Sequence, residues 1–221
     1  MVFHLSNTTK VGKCWDLPAK TTCPIQSEIC SGCYATRGYF RYKGPKKLRA
    51  DNYNGLLEEG VEAWVAWINA TLKTYAWGVS GLPFRIHSSG DFFSYDYFAG
   101  WVRVAKSNPN INFFAPTHNH KLVRRAASKI ALPKNLALAL SCIKGTQQHR
   151  KVNAAILYVR LQQPNALIHR AYVARSIQEV PGKAFVCPAS GTPKQKLFKS
   201  CREAGCRWCY DASGDIVYLW H

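Results

Sequence analysis

Nine cysteines in 221 residues gather towards the two ends of the chain, and that distribution constrains the fold more than any other feature. Cys23, Cys30 and Cys33 form C-x6-C-x2-C, and Cys187, Cys201, Cys206 and Cys209 form C-x13-C-x4-C-x2-C. An odd count cannot pair completely, and disulfides do not persist in a reducing compartment. Two cysteines separated by two residues wrap one metal ion or one corner of a cluster, so metal is the expected partner. Three thiolates from the first group predict a [4Fe-4S] cluster with one iron lacking a protein ligand, open to a small molecule. Cys14 is the alternative fourth thiolate. Its other reading, shared with Cys142, is a small buried hydrophobe. Four thiolates in the second group suit tetrahedral zinc or a second [4Fe-4S] cluster. Cys30-Ser-Gly-Cys33-Tyr34 is echoed by Cys206-Arg-Trp-Cys209-Tyr210, and Cys23-Pro24 by Cys187-Pro188, which favours iron–sulfur at both.

With 47% hydrophobic and 13% aromatic residues the chain is expected to bury a real core. No run reaches the roughly 18–20 apolar residues of a membrane helix, and residues 1–13 lack the apolar run of a signal peptide. No membrane partner and a cytoplasmic location are therefore expected. The 30 Lys and Arg against 12 Asp and Glu give a formal charge of +18. Cluster thiolates offset only a few of these charges, so a polyanion, nucleic acid or nucleotide, is the expected partner, with a host protein as the alternative.

Hydrophobic spacing predicts two helices over 46–77, broken near Gly60, a strand at 84–87, a helix capped by Ser94, a strand at 111–115, a helix at 120–130 and a strand at 136–141. Strands alternating with helices predict an α/β fold with a parallel sheet. Residues 1–22 show no period and read as an ordered arm. Residues 154–161 read equally as helix or strand, and 169–174 as strand. The expected organisation is an α/β cluster-binding domain over 1–180, with a four-cysteine metal-binding segment over 181–221 packed on it.

Ser88-Ser89-Gly90-Asp91 follows the predicted strand at 84–87, where parallel α/β folds place ligands. Gly90 lets a ligand approach the backbone, and Asp91 offers a carboxylate to an amine or hydroxyl. The alternative is a strand-to-helix turn with Asp91 or Ser94 as the cap. His87, a candidate catalytic group with Asp91, points either into the pocket or into the core. His118 follows the next strand and is a candidate for the same pocket. Arg37, Arg41, Lys43, Lys46, Lys47 and Arg49, interleaved with Tyr39, Phe40, Tyr42 and Tyr53, suit phosphate contact with base stacking, or else form a solvated face.

The chain resembles the bacteriophage gene-product-88 family. The resemblance rests on Leu17-Pro18-Ala19 with Thr22-Cys23-Pro24, on Cys30 and Cys33-Tyr34-Ala35, and on Phe84-Arg85-Ile86-His87 with Ser89-Gly90-Asp91-Phe92. It continues through Cys187-Pro188-Ala189 with Cys201, Cys206 and Cys209. It implies a phage-encoded, cysteine-clustered protein of the host cytoplasm. A looser resemblance is to radical S-adenosylmethionine enzymes: Cys23, Cys30 and Cys33-Tyr34 look like their three-cysteine element, and Ser89-Gly90-Asp91 like the turn that holds the methionine amino group. That likeness implies a partial β/α-barrel-like parallel sheet, to which the cysteine spacing adds metal-bound segments at both ends. It also implies S-adenosylmethionine at the open iron and radical chemistry on a nucleotide or nucleic acid. The sequence departs from that pattern in its first spacing of six rather than three, in Asp rather than Glu at the turn, and in its short length. The rival expectation is a non-enzymatic protein, stapled by iron–sulfur or zinc, that binds nucleic acid or a host protein.

Overall fold

The computed structural model describes residues 3–8, 12–25, 28–74, 83–174, 179, 181–182, 184–187, 190, 203–204, 206, 208–211 and 214–219. Cys201 lies outside the described residues, so the second cysteine group is followed through Cys187, Cys206 and Cys209.

The strands are β1 (Ser6–Thr8), β2 (Gly12–Trp15), β3 (Phe84–Ile86), β4 (Phe113–Thr117), β5 (Leu136–Cys142), β6 (Ile168–Ala174), β7 (Phe185–Val186) and β8 (Ile216–Leu219). They form one eight-stranded sheet in the order β1-β2-β3-β4-β5-β6-β8-β7. β1 pairs antiparallel with β2, and every other pairing is parallel. The helices are α1 (Glu28–Ser31), α2 (Lys43–Glu58), α3 (Gly60–Lys73), α4 (Tyr95–Ser107), α5 (His120–Ala127), α6 (Gln147–Gln162) and α7 (Trp208–Asp211).

β2 to β6 lie side by side in chain order, and right-handed crossovers in that order send successive helices to the same face. α3 accordingly packs on α4, α4 on α5, and α5 on α6. Alternation along each strand then separates two apolar layers. Leu136, Leu138 and Leu140 of β5 join the large core under the helices, whereas Ala137 and Ala139 face the other way, with Phe114, Ala171 and Ile216. Small residues dominate that second face, which leaves room above it.

The helices start where side chains cap them. Ser94 Oγ accepts from the Tyr97 amide, Asn119 Oδ1 from the Leu122 amide and Thr146 Oγ1 from the His149 amide, each at 3.2 Å. α3 buries Trp64, Ile68 and Leu72, four residues apart, as an amphipathic helix should. The expected break near Gly60 is the junction of α2 and α3, where Gly60 has φ +81°. Residues 154–161 fall within α6, and 169–174 within β6.

The N-terminal arm differs from expectation, because it holds β1 and β2. These are three and four residues long, and β2 pairs with β3, seventy residues onward in the chain. No local period announces so short a strand. Trp15 fixes it from the helix side, with its ring 5.6 Å from Trp64. The stretch after Pro24 forms one turn of α1 and then two 3-10 turns, Tyr34–Thr36 and Gly38–Arg41.

Candidate metal centre

Loops at the carboxyl ends of β2 and β3 meet through one buried carboxylate that the sequence did not single out. Asp16, directly after β2, is 2% exposed. It accepts the Ser88 amide at 2.6 Å, the Ser88 hydroxyl at 2.7 Å and the Ser89 amide at 3.0 Å. Leu17 donates its amide to the Ser89 carbonyl, and Ser89 Oγ donates back to the Leu17 carbonyl. Gly90 is required in this contact: at φ +84° a Cβ would lie 2.7 Å from both Leu17 Cβ and Thr22 Oγ1. The cysteine loop is thereby held against the turn after β3.

Asp91 continues the network to the next strand. Its carboxylate accepts the Phe92 amide at 2.7 Å, Thr117 Oγ1 at 2.5 Å and the His118 amide at 2.8 Å. Burial pushes its pKa up to about 6 against the lowering effect of these donors. Both oxygens are thus committed to the wall of the site. Ser88 and Ser89 are committed too, since their carbonyls accept from the Tyr34 hydroxyl, at 2.5 Å, and from Leu17.

Above the small-residue face lies a cavity of about 610 Å³. Cys23, Cys30 and Cys33 line it together with Ser88, Ser89, Gly90, Asp91 and His118, so the turns after β3 and β4 and the first cysteine group share one wall. Burial, then the nearby charge of Asp91, pushes the Cys23 thiol up to about 12 against the lowering effect of the Lys20 backbone, with Cys30 and Cys33 adding smaller amounts. Such a thiol ionises at neutral pH only with a cation at the sulfur, as metal coordination provides. Cys14 lies elsewhere: fully buried, its thiol is 3.7 Å from both Asp16 Oδ2 and Ser88 Oγ, and it does not line the cavity.

Cys23, Cys30 and Cys33 are donors of the kind a cluster would take. Among the described residues no three His, Cys, Asp or Glu side chains converge on one ion position. A cluster takes one thiolate per iron, so its donors stand apart around a shared volume. Arg85 of β3 also lines the volume, and it takes part in none of the ion pairs among the described residues. Burial opposes its charge, but Tyr34, Tyr218, Cys14 and Asp16 outweigh that and raise its pKa. A cation so placed would compensate thiolate charge if the cysteines held a metal.

His118 turns Nδ1 to within 3.9 Å of Cys30 Sγ, and burial, then the charge of His120, lowers its pKa to about 4. His87 also lines the cavity, with its Nε2 turned towards the helices. Its Nε2 is 2.8 Å from the Tyr97 hydroxyl, its ring meets Phe92 edge-on, and burial, then Arg85, lowers its pKa to about 3. This neutral imidazole is buried between cavity and helices, and its backbone, at φ +64°, shapes the turn.

Cys187 and Cys209 lie on the same face of the sheet. Cys187 is 5% exposed in the second apolar layer, against which Trp208 and Cys209 pack. Cys209 Sγ is 3.3 Å from the Tyr218 hydroxyl, and Tyr218 also lines the cavity. Burial, then Cys209 and Cys187, raise the Tyr218 pKa.

Sequence and structure together describe an α/β protein with a mostly parallel sheet and a three-cysteine cavity at the carboxyl ends of its strands. The chain belongs to the Gene product 88 family, whose sequence profile matches residues 3–212. It is also similar to the Gene 88 protein of Mycobacterium phage L5, 40% identical over 65 residues that cover 25% of this chain and 27% of that protein. The matched stretch therefore spans about a quarter of that relative's length. No solved structure matches the chain. Among the described residues no helix is long and apolar enough to cross a membrane.

Proposed function

We propose that Cys23, Cys30 and Cys33 hold a [4Fe-4S] cluster in the cavity, and that the cavity presents its unliganded iron to a small molecule. The carrying observation is that three thiols of the C-x6-C-x2-C segment, and not Cys14, line one cavity at the carboxyl ends of parallel strands. When bound, such a cluster supplies an open coordination site and, once reduced, an electron.

The chain's own residues do the rest. Asp16 and Gly90 lock the cysteine loop to the turn after β3, and Tyr34 pins the Cys33 end through the Ser88 carbonyl. Asp91 holds the turn that carries His118, and His118 stands beside Cys30. Chain-order parallel strands with helices on one face are the arrangement of a partial β/α barrel, and they support S-adenosylmethionine as the small molecule and a nucleotide or nucleic acid as its target. Adding S-adenosylmethionine to anaerobically reduced protein is expected to shift the cluster's EPR spectrum and release 5′-deoxyadenosine; an unchanged spectrum sinks the cofactor reading.

A second reading has its own support. Asp91 and the Ser88 and Ser89 carbonyls are already hydrogen-bonded, which leaves this turn few groups for a ligand's ammonium. A cluster, or zinc at Cys187, Cys201, Cys206 and Cys209, would then staple a binding protein. That reading predicts bound metal with no response to S-adenosylmethionine.

A further inference from the structure

The cavity's rim carries a second feature. Tyr34, Tyr39 and Tyr42 are 45%, 56% and 65% exposed, all within the segment that follows Cys33. The other exposed large apolar side chains among the described residues are Leu57, alone on α2, and Leu157 and Leu161, one turn apart on α6. A soluble surface tolerates single exposed apolar groups, but a run of aromatic rings marks a contact.

These rings are ordered relative to one another. Tyr34 meets Phe40 at 5.6 Å, Tyr39 meets Phe40 at 6.1 Å, and Tyr39 meets Tyr42 at 6.1 Å, each edge-to-face. Arg49 fixes the backbone below them, donating to the Pro45 carbonyl at 2.9 Å and to the Phe40 carbonyl, with its guanidinium 5.0 Å from the Phe40 ring centre. The rings are therefore presented on a braced turn.

The charge around them has one sign. Arg37, Arg41, Lys43, Lys46 and Lys47 are exposed in the same stretch, and no acidic residue occurs between Glu28 and Asp51. Asp51 pairs with Lys47, which leaves the other four cations of the group outside every ion pair among the described residues. Tyr34, Tyr39 and Phe40 also line the cavity, so the ladder leads from solvent to the cysteines.

We infer that residues 34–47 are a platform for single-stranded nucleic acid, with bases stacked on Tyr39 and Tyr42 and phosphates held by Arg37, Arg41, Lys43 and Lys46. Stacking requires unpaired bases, because a duplex hides its base faces. Rings flanked by cations are what a single strand needs and a simple polyanion does not. The inference deepens the cavity reading by naming where a polymeric substrate is held, yet the platform stands without a cluster.

The test is fluorescence anisotropy of full-length protein with a short single-stranded DNA, its RNA counterpart, the matching duplex and heparin, with iron content measured on each preparation. Wild type is expected to prefer a single strand to duplex, with the DNA and RNA arms deciding which sugar is favoured. Joint Tyr39→Ala and Tyr42→Ala substitution is expected to weaken single-strand binding about tenfold or more, while heparin binding and iron content hold. Tyr39→Phe with Tyr42→Phe should retain binding. Lys43→Ala should flatten the dependence of log affinity on log salt by about 0.7. Tyr42→Ala alone, at an exposed position, serves if the double variant fails to fold. Unchanged single-strand affinity in the alanine variants, or an equal loss for heparin, overturns the platform; wild-type protein that binds single strands but carries no iron overturns only the cavity reading.

Discussion

Removing the Asp16 carboxylate is the sharpest probe of how the site is held. Asp16→Ala leaves the Ser88 amide, the Ser88 hydroxyl and the Ser89 amide without their acceptor, in a place where Asp16, Ser88 and Ser89 are 2%, 6% and 3% exposed. A buried donor left unpaired costs about 1–3 kcal/mol. Three donors, with some relief from relaxation and entering water, give about 3–5 kcal/mol, a large part of the roughly 5–15 kcal/mol that stabilises a domain. Urea unfolding followed by tryptophan fluorescence measures the loss. A double-mutant cycle with Ser88→Ala isolates the shared contact, and coupling of about 1 kcal/mol or more is expected, because the two side chains touch directly. Ser88 also receives the Tyr34 hydroxyl, so bound iron should fall together with stability. A loss below about 1 kcal/mol, or additive single effects, would refute the argument that this carboxylate ties the cysteine loop to β3.

Three further outcomes are expected from the buried groups around the site. Gly90→Ala should cost about 2–4 kcal/mol in urea unfolding, from the left-handed backbone and the 2.7 Å approach to Leu17 and Thr22. His169 is fully buried and stacks on Phe114, with both ring nitrogens lacking a hydrogen-bond partner among the described residues. Burial lowers its pKa from 6.5 to about 4, so between those values the unfolded chain binds the extra proton and stability falls as pH falls, by up to about 1.4 kcal/mol per pH unit. His169→Phe should flatten that acid limb in melting curves taken from pH 7 to pH 4; an unaltered limb would refute the assignment. Cys14→Ser should leave iron content intact, because Cys14 does not reach the cavity, whereas loss of iron would make it a ligand.

Much of the frame is legible from local signals. The Ser94 cap, the Gly60 break and the apolar spacing of Trp64, Ile68 and Leu72 each act within one or two turns, so a linear reading finds α2, α3 and α4. The three-cysteine grouping is equally local. The contacts that make it a site are not. Asp16 meets Ser88 across seventy-two residues, and Arg85 reaches the cavity only because β3 is a central strand. β1 and β2 are too short to show a period. His87 shows the opposite difficulty: its place beside the Ser88–Asp91 turn gives no hint of its ring direction, which the left-handed backbone and the Tyr97 contact decide.

The central claim is met most directly by iron, acid-labile sulfide and zinc analysis of anaerobically purified protein, wild type beside Cys33→Ser. About four irons and four sulfides per chain, or eight of each if the second group also holds a cluster, with four of each lost in the variant, is the predicted result. Zinc alone, or iron content unaffected by Cys33→Ser, would contradict a cluster in the three-cysteine cavity.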